Sequence, residues 1–391
     1  MSTKPRQPDS PHVLFLCSWY PVPENPSHGI FIKRHAQALS TFMPVTVVYA
    51  YSNNSGKTEM SFQSDGSLNE IIISYPKITC RLPLLKQWLQ YRAYKNAYLT
   101  ALDKLKALQT TVTHIQLNVV FPAALVFDIF RNHFHVNFTI AEHWSGYLPE
   151  DDNYKGFLQK YFTKKTFRLA EKIWHVSELQ KKAMLSHGLN GNYELLYNCV
   201  NTSTFKQLSI PKSETFTFLH VSSLVEREKN LKGTFEALKL LQDKHYTFQL
   251  LVIGGDPSAI EATTSLQNAI GLNHVEYLGY QSPENISRYM NQSHALLLFS
   301  HFEGMPVVVL EALACGLPVL ATAVGQLPYI INDTLGRLAA PGDTNNMVAI
   351  MEAFLKKEFT FHPHNMVKFI NEHASFEAVG KQLAAQYLKK A

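Results

Sequence analysis

Residues 302–319 read Phe-Glu-Gly-Met-Pro-Val-Val-Val-Leu-Glu-Ala-Leu-Ala-Cys-Gly-Leu-Pro-Val. They follow an apolar run at 295–299 that is typical of a buried parallel strand. A Gly-Met-Pro turn comes next and opens an apolar stretch of helical length. The order strand, turn and helix predicts one repeat of a parallel α/β sheet at this point.

The same alternation extends outward over the whole chain. Apolar runs predict strands in the second half at 217–221, 249–253, 275–278, 295–299 and 319–321. In the first half they predict strands at 12–18, 45–51, 70–75, 114–117, 138–141, 172–176 and 193–196, with a polar loop at 52–69. We therefore expect two Rossmann-like α/β halves with a ligand cleft between them. The expected domains are 1–205 and 215–372, joined by a linker at 206–214 and followed by a segment at 373–391.

Composition excludes several classes of protein. The chain has 391 residues, of which 46% are hydrophobic and 17% charged, so it is not a disordered chain. Its net charge of +5 is too small for this length to indicate a nucleic-acid partner. Its four cysteines form no CxxC pair, which argues against a disulfide framework or a zinc site. Residues 1–11 are polar and no apolar region follows them, so we expect no signal peptide and a cytoplasmic location.

The turn at 303–306 has the chemistry of a phosphate site. The backbone N–H groups of Gly304, Met305 and Val307 would stand unsatisfied at the helix start and could bind an anion. Glu303 lies in the turn, and Glu311 follows eight residues later, just over two helical turns, so both could face one side. Glu311 could then accept two hydrogen bonds from a ribose diol. The alternatives are a helix-dipole charge for Glu303 and a solvated surface residue for Glu311.

These residues carry a family resemblance. The pattern Glu-Gly-Met-Pro-x4-Glu-Ala-x-Ala-Cys-Gly-x-Pro-Val resembles the signature of retaining GT-B glycosyltransferases of family 4. The segments 218–224, 228–230, 251–256 and 278–280 resemble the strand ends of that family's C-terminal domain, and 196–205 resembles its hinge. Ser18-Trp-Tyr-Pro21 and the segment 29–36 look like bacterial members that build surface polysaccharides. The resemblance implies a GT-B fold whose last helix crosses back to the N-terminal domain.

The resemblance implies roles for residues of the second half. Glu311 would bind the donor ribose, Glu303 the donor sugar, and Gly304, Met305 and Pro306 the diphosphate, while Lys229 would stabilise the leaving group. The same resemblance places Gly255, Gly279 and Tyr280 around the nucleotide, with base contacts made by backbone near 278–280. The alternative for Lys229 is a solvated lysine in a surface loop.

One position departs from the family pattern. The usual Gly-Arg-Leu is replaced here by Ser222-Ser223-Leu224, so Ser223 stands where the family has an arginine. Arg227 could supply the guanidinium from a shifted position, or it could be solvated beside two glutamates.

Three further candidates lie in the first half, and one motif is missing. His143 follows a strand and matches the family's histidine near the donor sugar, although a packed core histidine is an alternative. Asn118 also ends a strand, and Gly29 matches a glycine at the first helix, where His28 replaces a second glycine. We expect these three on the acceptor and phosphate side. Because no Asp-x-Asp stands at a strand end, we expect chemistry without a metal or cofactor.

One segment indicates a membrane surface. Residues 82–95 mix apolar and aromatic residues, including Trp88, with Lys86, Arg92 and Lys95. Such helices bind anionic membranes, although a helix that packs its aromatic residues on the sheet explains the pattern equally well. The family context favours peripheral contact with the cytoplasmic face of an inner membrane.

The resemblance thus implies a retaining hexosyl- or N-acetylhexosaminyl-transferase. It would move a sugar from a UDP- or GDP-sugar to a saccharide or lipid-linked acceptor, in the biosynthesis of polysaccharide, lipopolysaccharide or a glycoconjugate. A nucleotide-sugar 2-epimerase on the same fold and a non-catalytic nucleotide-binding subunit remain as alternatives. The sequence does not specify the base, the sugar, the acceptor or the linkage.

Overall fold

The computed structural model describes residues 11–389, which form two compact units. The first unit contains the described residues up to Val176, Gln180–Leu196 and the described residues from Phe376 onward. The second contains Ser177–Leu179 and Tyr197–Ser375. Each unit is built on one largely parallel sheet covered by helices, so the predicted pair of Rossmann-like α/β units is confirmed.

The first unit contains an eight-stranded sheet. Its strands are β1 Val13–Cys17, β2 Val45–Asn53, β3 Glu59–Asp65, β4 Leu68–Pro76, β5 His114–Asn118, β6 Asn137–Glu142, β7 Lys172–His175 and β8 Tyr193–Leu195. They lie in the order β3-β4-β2-β1-β5-β6-β7-β8. The helices between them are α1 Ile30–Ser40, α2 Pro83–Ala107, α3 Val120–Ala123, α4 Phe127–Phe134, α5 Phe157–Leu169 and α6 Glu178–Ser186.

Strand β1 is the centre of this sheet. All five of its residues, Val-Leu-Phe-Leu-Cys, are buried, as a parallel strand covered on both faces requires. Its neighbours β2 and β5 both pair with it in parallel. The strands that follow β1 in sequence, β2 to β4, lie on one side of it, and β5 to β8 lie on the other side. This switch point sets the carboxyl ends of β1, β5 and β6 side by side, and ligands bind at such edges.

Strand β3 was not expected, because residues 52–69 were predicted as a polar loop. It pairs antiparallel with β4, Gln63 opposite Glu70 and Ser61 opposite Ile72. All seven residues of β3 are exposed, so the strand has no buried face and shows no alternation of apolar residues. Pairing with β4 alone holds it at the edge of the sheet.

The second unit contains a six-stranded sheet. Its strands are β9 Thr217–Val221, β10 Gln249–Ile253, β11 Val275–Gly279, β12 Ala295–Leu298, β13 Val319–Thr322 and β14 Gly336–Ala339, in the order β11-β10-β9-β12-β13-β14. Its helices are α7 Glu226–Lys229, α8 Leu231–Asp243, α9 Pro257–Ile270, α10 Pro283–Gln292, α11 Val307–Ala314, α12 Leu327–Ile330, α13 Thr344–Leu355 and α14 Pro363–His373. Strand β14 adds a sixth strand to the five predicted. Its sequence, Gly-Arg-Leu-Ala, carries too little apolar signal to predict a strand.

The last helix, α15 Phe376–Leu388, belongs to the first unit, as its predicted return implied. It packs on α1, where Gly380 lies so close to the carbonyl oxygen of Ala38 that a Cβ would come within 2.4 Å of it. The buried Tyr387 hydroxyl lies 2.9 Å from Thr139 Oγ1 and donates to Gln116 Oε1 at 2.6 Å. These contacts fix α15 on strands β5 and β6.

The length and composition of the helices bear on whether any of them could span a membrane. Among residues 11–389, no helix is both long enough and apolar enough to cross a bilayer. The expectation of no signal peptide concerns residues 1–11, of which the first ten lie outside the described part of the chain.

Candidate functional site

The second unit brings its candidate residues to the carboxyl ends of two adjacent strands. Strands β9 and β12 pair directly, while β10 lies on the other side of β9. The switch point of this sheet therefore falls between β9 and β12, where ligands of open α/β sheets bind. The loop after β9 carries α7, and the loop after β12 leads into α11.

Lys229 and Glu303 meet at this switch point. Lys229 Nζ donates to Glu303 Oε1 at 2.7 Å, and the two side chains are 15% and 9% exposed. The Ser300 hydroxyl donates to the same carboxylate oxygen, also at 2.7 Å. A nearly buried carboxylate thus holds both a cation and a hydroxyl, and the ammonium group keeps protons for a further acceptor.

Local hydrogen bonds fix the loop that carries Lys229. Asn230 adopts a left-handed conformation (φ 50°), and its side-chain amide donates to the carbonyl oxygen of Phe299 at 3.1 Å. The N-cap of α8 is Asn230, whose Oδ1 accepts from the backbone of Gly233 at 3.1 Å, and the carboxylate of Glu226 accepts from the backbone of Leu231 at 2.8 Å. The loops after β9 and β12 are also joined by the backbone bond from His301 to the carbonyl oxygen of Glu228, at 2.8 Å.

Hydrogen bonds to two carbonyl groups fix the turn before α11. Asn198 Nδ2 donates to the carbonyl oxygen of Met305 at 2.8 Å, and the backbone N–H of Gln326 donates to that of Gly304 at 2.9 Å. Gly325 (φ 57°) lies under the turn, where a Cβ would come within 2.3 Å of the Glu303 carbonyl oxygen. Both carbonyls are therefore occupied, and no described side chain caps the N-terminus of α11, whose N-cap is Pro306.

Glu311 lies inside α11 and is only 7% exposed, so the solvated alternative is wrong. The helix begins at Val307, which leaves Glu303 in the preceding loop. The expectation that two full helical turns separate the two glutamates is therefore wrong, because Pro306 ends the extended turn and starts the helix. Both carboxylates nevertheless belong to the same loop–helix segment.

The loop after β9 differs from the family pattern in its side chains. Arg227 is exposed, and its guanidinium carbon lies 5.8 Å from the centre of the Phe302 ring, next to Glu303 in sequence. Ser223 is exposed. The neighbouring Ser222 Oγ lies 2.7 Å from His220 Nε2, and burial lowers the pKa of His220 to about 4.

The candidates at β10 and β11 are of two kinds. Gly255 adopts a left-handed conformation (φ 74°), which favours glycine, and a Cβ there would come within 2.5 Å of Leu224 Cδ1. Gly279 (φ 62°) has open space around it, and its carbonyl oxygen accepts from the backbone of Gly254 at 2.8 Å. Tyr280 is 68% exposed at the same edge, which leaves its ring accessible.

In the first unit, His143 follows β6 at the carboxyl edge of the sheet. Its ring stacks on Phe31 at 4.4 Å and lies 5.4 Å from the His35 ring. The side chain is only 9% exposed, and neither ring nitrogen has a hydrogen-bond partner among the described residues. Burial, followed by the charge of His35, holds the pKa of His143 well below its usual range, so the ring is neutral at pH 7.

Glu142 positions the turn that carries His143. Its buried carboxylate accepts from the backbone of His143 and Trp144 at 3.0 Å, and from Val120 and the Tyr147 hydroxyl at 3.1 Å. Burial raises the pKa of Glu142, and these four donors oppose that rise. The carboxylate therefore ties the end of β6 to the start of α3.

The three remaining candidates of the first unit lie in different surroundings. Gly29 (φ 69°) caps α1 where a Cβ would come within 2.8 Å of the Trp19 carbonyl carbon. His28 is half-buried against the Trp19 ring at 5.5 Å, and burial lowers its pKa. Asn118 is fully buried and accepts from Gln116 Nε2 at 2.8 Å. The structure thus gives Asn118 a role in packing the strands, and its contact with an acceptor stays a prediction.

The segment with membrane-like composition forms the N-terminal half of α2. Leu84 is 81% and Trp88 53% exposed, whereas Tyr94 is buried in the core of the unit, so the packing alternative holds for Tyr94 and not for Trp88. The guanidinium of Arg92 lies 5.5 Å from the Trp88 ring centre. Lys86 is exposed and Lys95 half-buried on the same helix.

Sequence reasoning missed two polar residues of these sites. Ser300 comes directly after the strand predicted at 295–299, and Glu142 comes directly after the strand predicted at 138–141. A polar residue at the carboxyl end of a predicted parallel strand was the available signal. Among residues 11–389, no group of three or more His, Cys, Asp or Glu side chains is placed to hold a metal ion.

Two Rossmann-like units in one chain, each with its candidate residues at a sheet switch point, define the GT-B class of α/β proteins. Residues 201–373, which lie within the second unit, match the family described as glycosyl transferases group 1.

The chain is also similar to known relatives and to solved structures. The chain is 27% identical over 242 residues to an uncharacterized glycosyltransferase of Methanocaldococcus jannaschii, covering 62% of this chain and 64% of the relative. It is 26% identical over 220 residues to the lipopolysaccharide 1,6-galactosyltransferase of Escherichia coli, covering 54% and 59%. The chain thus spans about three-fifths of these relatives' length. Anabaena HepE, solved with UDP and glucose, superposes with a TM-score of 0.69 at 16% identity, covering 97% of this chain and 99% of HepE.

Proposed function

We propose that the protein is a retaining glycosyltransferase that moves a sugar from a nucleoside diphosphate sugar to a saccharide or lipid-linked acceptor. The observation that carries this proposal is the Lys229–Glu303–Ser300 cluster at the switch point of the second unit. A lysine and a carboxylate placed beside an uncapped helix start suit a diphosphate and the sugar attached to it.

The donor is proposed to be a UDP-sugar. HepE was solved with UDP and glucose, and the Escherichia coli relative is a galactosyltransferase of lipopolysaccharide. Glu311, buried in α11, would accept the ribose hydroxyls, and the exposed Tyr280 would border the base. Neither relative supports the epimerase or the non-catalytic alternative.

The paired state of Lys229 indicates how catalysis would proceed. Without donor, the ammonium is neutralised by Glu303. A bound diphosphate gives the ammonium a second anionic partner, and negative charge grows on that partner as the glycosidic bond breaks. Glu303 is then free to accept hydrogen bonds from the sugar hydroxyls. No metal ion or cofactor is required by this arrangement, because the lysine and the helix start supply the positive charge.

His143 would contribute a hydrogen bond to the transferred sugar. Both of its ring nitrogens are unpartnered within the described residues, which is costly for a nearly buried polar ring. A sugar hydroxyl would satisfy one of them. Because the ring is neutral at pH 7, it can donate without adding a positive charge where an oxocarbenium ion develops.

We also propose that the N-terminal half of α2 contacts an anionic membrane surface. Exposed Leu84 and Trp88 would enter the interface, while Lys86 and Arg92 would meet acidic headgroups at about 1 kcal/mol each. Co-sedimentation with phosphatidylcholine vesicles, with and without phosphatidylglycerol, tests this contact. Trp88→Ala should lower binding to the anionic vesicles, whereas Leu240→Ala, at an exposed leucine of the second unit, should not.

The function is tested by a thermal-shift panel of nucleoside diphosphates, followed by analysis of the product formed from the matching donor sugar. A nucleotide at about 100 times its Kd should stabilise the protein by about 2.7 kcal/mol. NMR of the product should show the anomeric configuration of the donor. Inversion, or release of an epimerised free sugar, would contradict the proposed reaction.

A further inference from the structure

A cavity of about 420 Å³ lies in the first unit, outside the sites described above. It opens between the β3–β4 hairpin, the loop that follows β1, and helix α1, all of which belong to that unit. Its volume falls within the range of about 300–1,000 Å³ that is usual for small-molecule sites.

Cross-strand pairs form the floor of this cavity. Side chains that stand directly opposite each other in an antiparallel pair point to the same face of the sheet. The floor consists of three such pairs, Gln63–Glu70, Ser61–Ile72 and Glu59–Ser74. Five of these six side chains carry an oxygen that can accept a hydrogen bond from a hydroxyl group.

Tyrosine rings form one wall. Tyr20 and Tyr51 line the cavity, and Tyr49 joins them in a row with centroid distances of 6.3 and 6.0 Å. The Tyr51 hydroxyl donates to Glu24 at 3.3 Å, and the Tyr20 hydroxyl donates to Glu70, so both rings are held in place. Tyr20 is only 1% exposed and Tyr49 is buried, so the half-buried Tyr51 is the ring of this row whose face can pack against the apolar C–H surface of a polyhydroxylated ring.

The charges in the cavity disfavour an anionic ligand. Lys33 is the cation in its lining, and it is paired with Glu70 Oε1 at 3.2 Å. Glu59 adds a second carboxylate to the lining. Because the lysine is already paired, the carboxylates of the lining repel a phosphate or an acidic sugar. The same carboxylates can accept hydrogen bonds from vicinal hydroxyls.

We propose that this cavity binds an uncharged saccharide unit of the acceptor. That this saccharide belongs to the acceptor rests on the proposed function. Its chemistry rests on the lining alone, which offers the face of Tyr51, a row of oxygen acceptors and a lysine paired with Glu70. Strand β3, which forms one half of the floor, is the strand of this sheet that the sequence did not predict, so specificity would reside in an addition to the common α/β core.

Strand β3 offers a matched pair of variants. Ser61 lines the cavity, and Ser64 faces the other side of the same strand, where it borders a separate depression with His12 and Leu108. Ser61→Trp would fill the cavity, and Ser64→Trp makes the same change on the opposite face. Both serines are exposed, so neither change disturbs the core.

Saturation-transfer NMR on the full chain, with and without UDP, would measure binding of lactose, maltose, cellobiose and chitobiose. Glucose 1-phosphate and glucuronic acid serve as charged probes. At least one disaccharide should bind the wild-type protein and Ser64→Trp, and Ser61→Trp should weaken it by about tenfold or more, or 1.4 kcal/mol. UDP should bind all three proteins alike.

Three outcomes would overturn the inference: no disaccharide binds the wild-type protein, Ser61→Trp binds it as well as wild type does, or a charged probe binds more tightly than every neutral one. Absence of UDP binding would instead contradict the proposed function. The saccharide measurements made without nucleotide keep these two failures separate.

Discussion

Lys229 Nζ and Glu303 Oε1 lie 2.7 Å apart although the residues are 74 positions apart in the chain. The pair joins the loops after β9 and β12 and leaves little of either side chain exposed. If Lys229 binds the leaving group, its ammonium must therefore interact with both the Glu303 carboxylate and the incoming phosphate. This competition makes Lys229 both a structural and a catalytic residue of the proposed site.

Lys229→Ala should lower kcat by a factor of about 100 to 1,000, with a much smaller change in the donor KM, because the ammonium interacts most strongly with the transition state. It should also lower the free energy of unfolding by about 3–5 kcal/mol, since Glu303 would lose its charge partner in a nearly buried position. Steady-state kinetics and urea denaturation measure both effects. Lys232→Ala, at a lysine 62% exposed on the neighbouring helix, should change neither. Wild-type turnover in Lys229→Ala would place the diphosphate elsewhere.

Ser300→Ala should have a smaller effect on the same carboxylate. It removes one of two donors to Glu303 Oε1, the other being Lys229, and should cost about 1 kcal/mol of stability, with a fall in kcat because the carboxylate is held less firmly. Thermal unfolding and initial rates are the measurements. Ser258→Ala, at an exposed serine that bonds Asp256, provides the control. If both variants behave alike, Ser300 does not position Glu303.

Glu311→Ala should weaken UDP binding by about 1–3 kcal/mol, because a ribose diol would lose its acceptor. Isothermal titration calorimetry gives the affinity directly, and circular dichroism checks that α11 is retained. Glu261→Ala, at an exposed glutamate of α9, should bind UDP as wild type does. Equal affinity in all three proteins would remove Glu311 from the nucleotide site.

Chelation should leave transfer unaffected. The proposed site neutralises the diphosphate with Lys229 and the start of α11, so EDTA should not change the initial rate by more than the scatter of the assay. Complete loss in EDTA, restored by Mg²⁺ or Mn²⁺, would contradict a reaction without metal.

Stability should fall as the pH drops from about 6.5 towards about 4. Burial lowers the pKa of His220 to about 4, and burial does the same for His12. Within this window the unfolded chain binds the proton and the folded one does not, so each histidine should cost about 1–2 kcal/mol between pH 7 and pH 5. Urea midpoints at the two pH values measure the difference. His220→Gln should reduce it, and His364→Gln, at an exposed site, should not; an unchanged difference in His220→Gln would exclude this histidine as a cause.

Much of the fold could be predicted because buried parallel strands are continuous apolar runs. Strand β1, buried throughout, is an example, and so is the segment from β12 to α11. Strand β3 could not be predicted, because an edge strand without a buried face carries no periodic signal. The pairing of Lys229 with Glu303 could not be predicted either, because it depends on β9 and β12 lying side by side, which the alternation of elements does not specify. The position of Glu142 at the end of a predicted strand could be seen in the sequence, but the four hydrogen-bond donors to its carboxylate are seen only in the structure.

The return of α15 has a consequence for biosynthesis. The first unit is interrupted after Leu196 and completed by a helix that begins at Phe376, about 180 residues later. At a translation rate of about 5–20 residues per second, roughly 10–40 s pass between the synthesis of Leu196 and that of Phe376, where the last helix of the unit begins. During that time β5 and β6 lack Tyr387, and the surface of α1 that receives Gly380 is bare. The second unit is synthesised in full during this interval, so the half of the protein that emerges first is the half that finishes last.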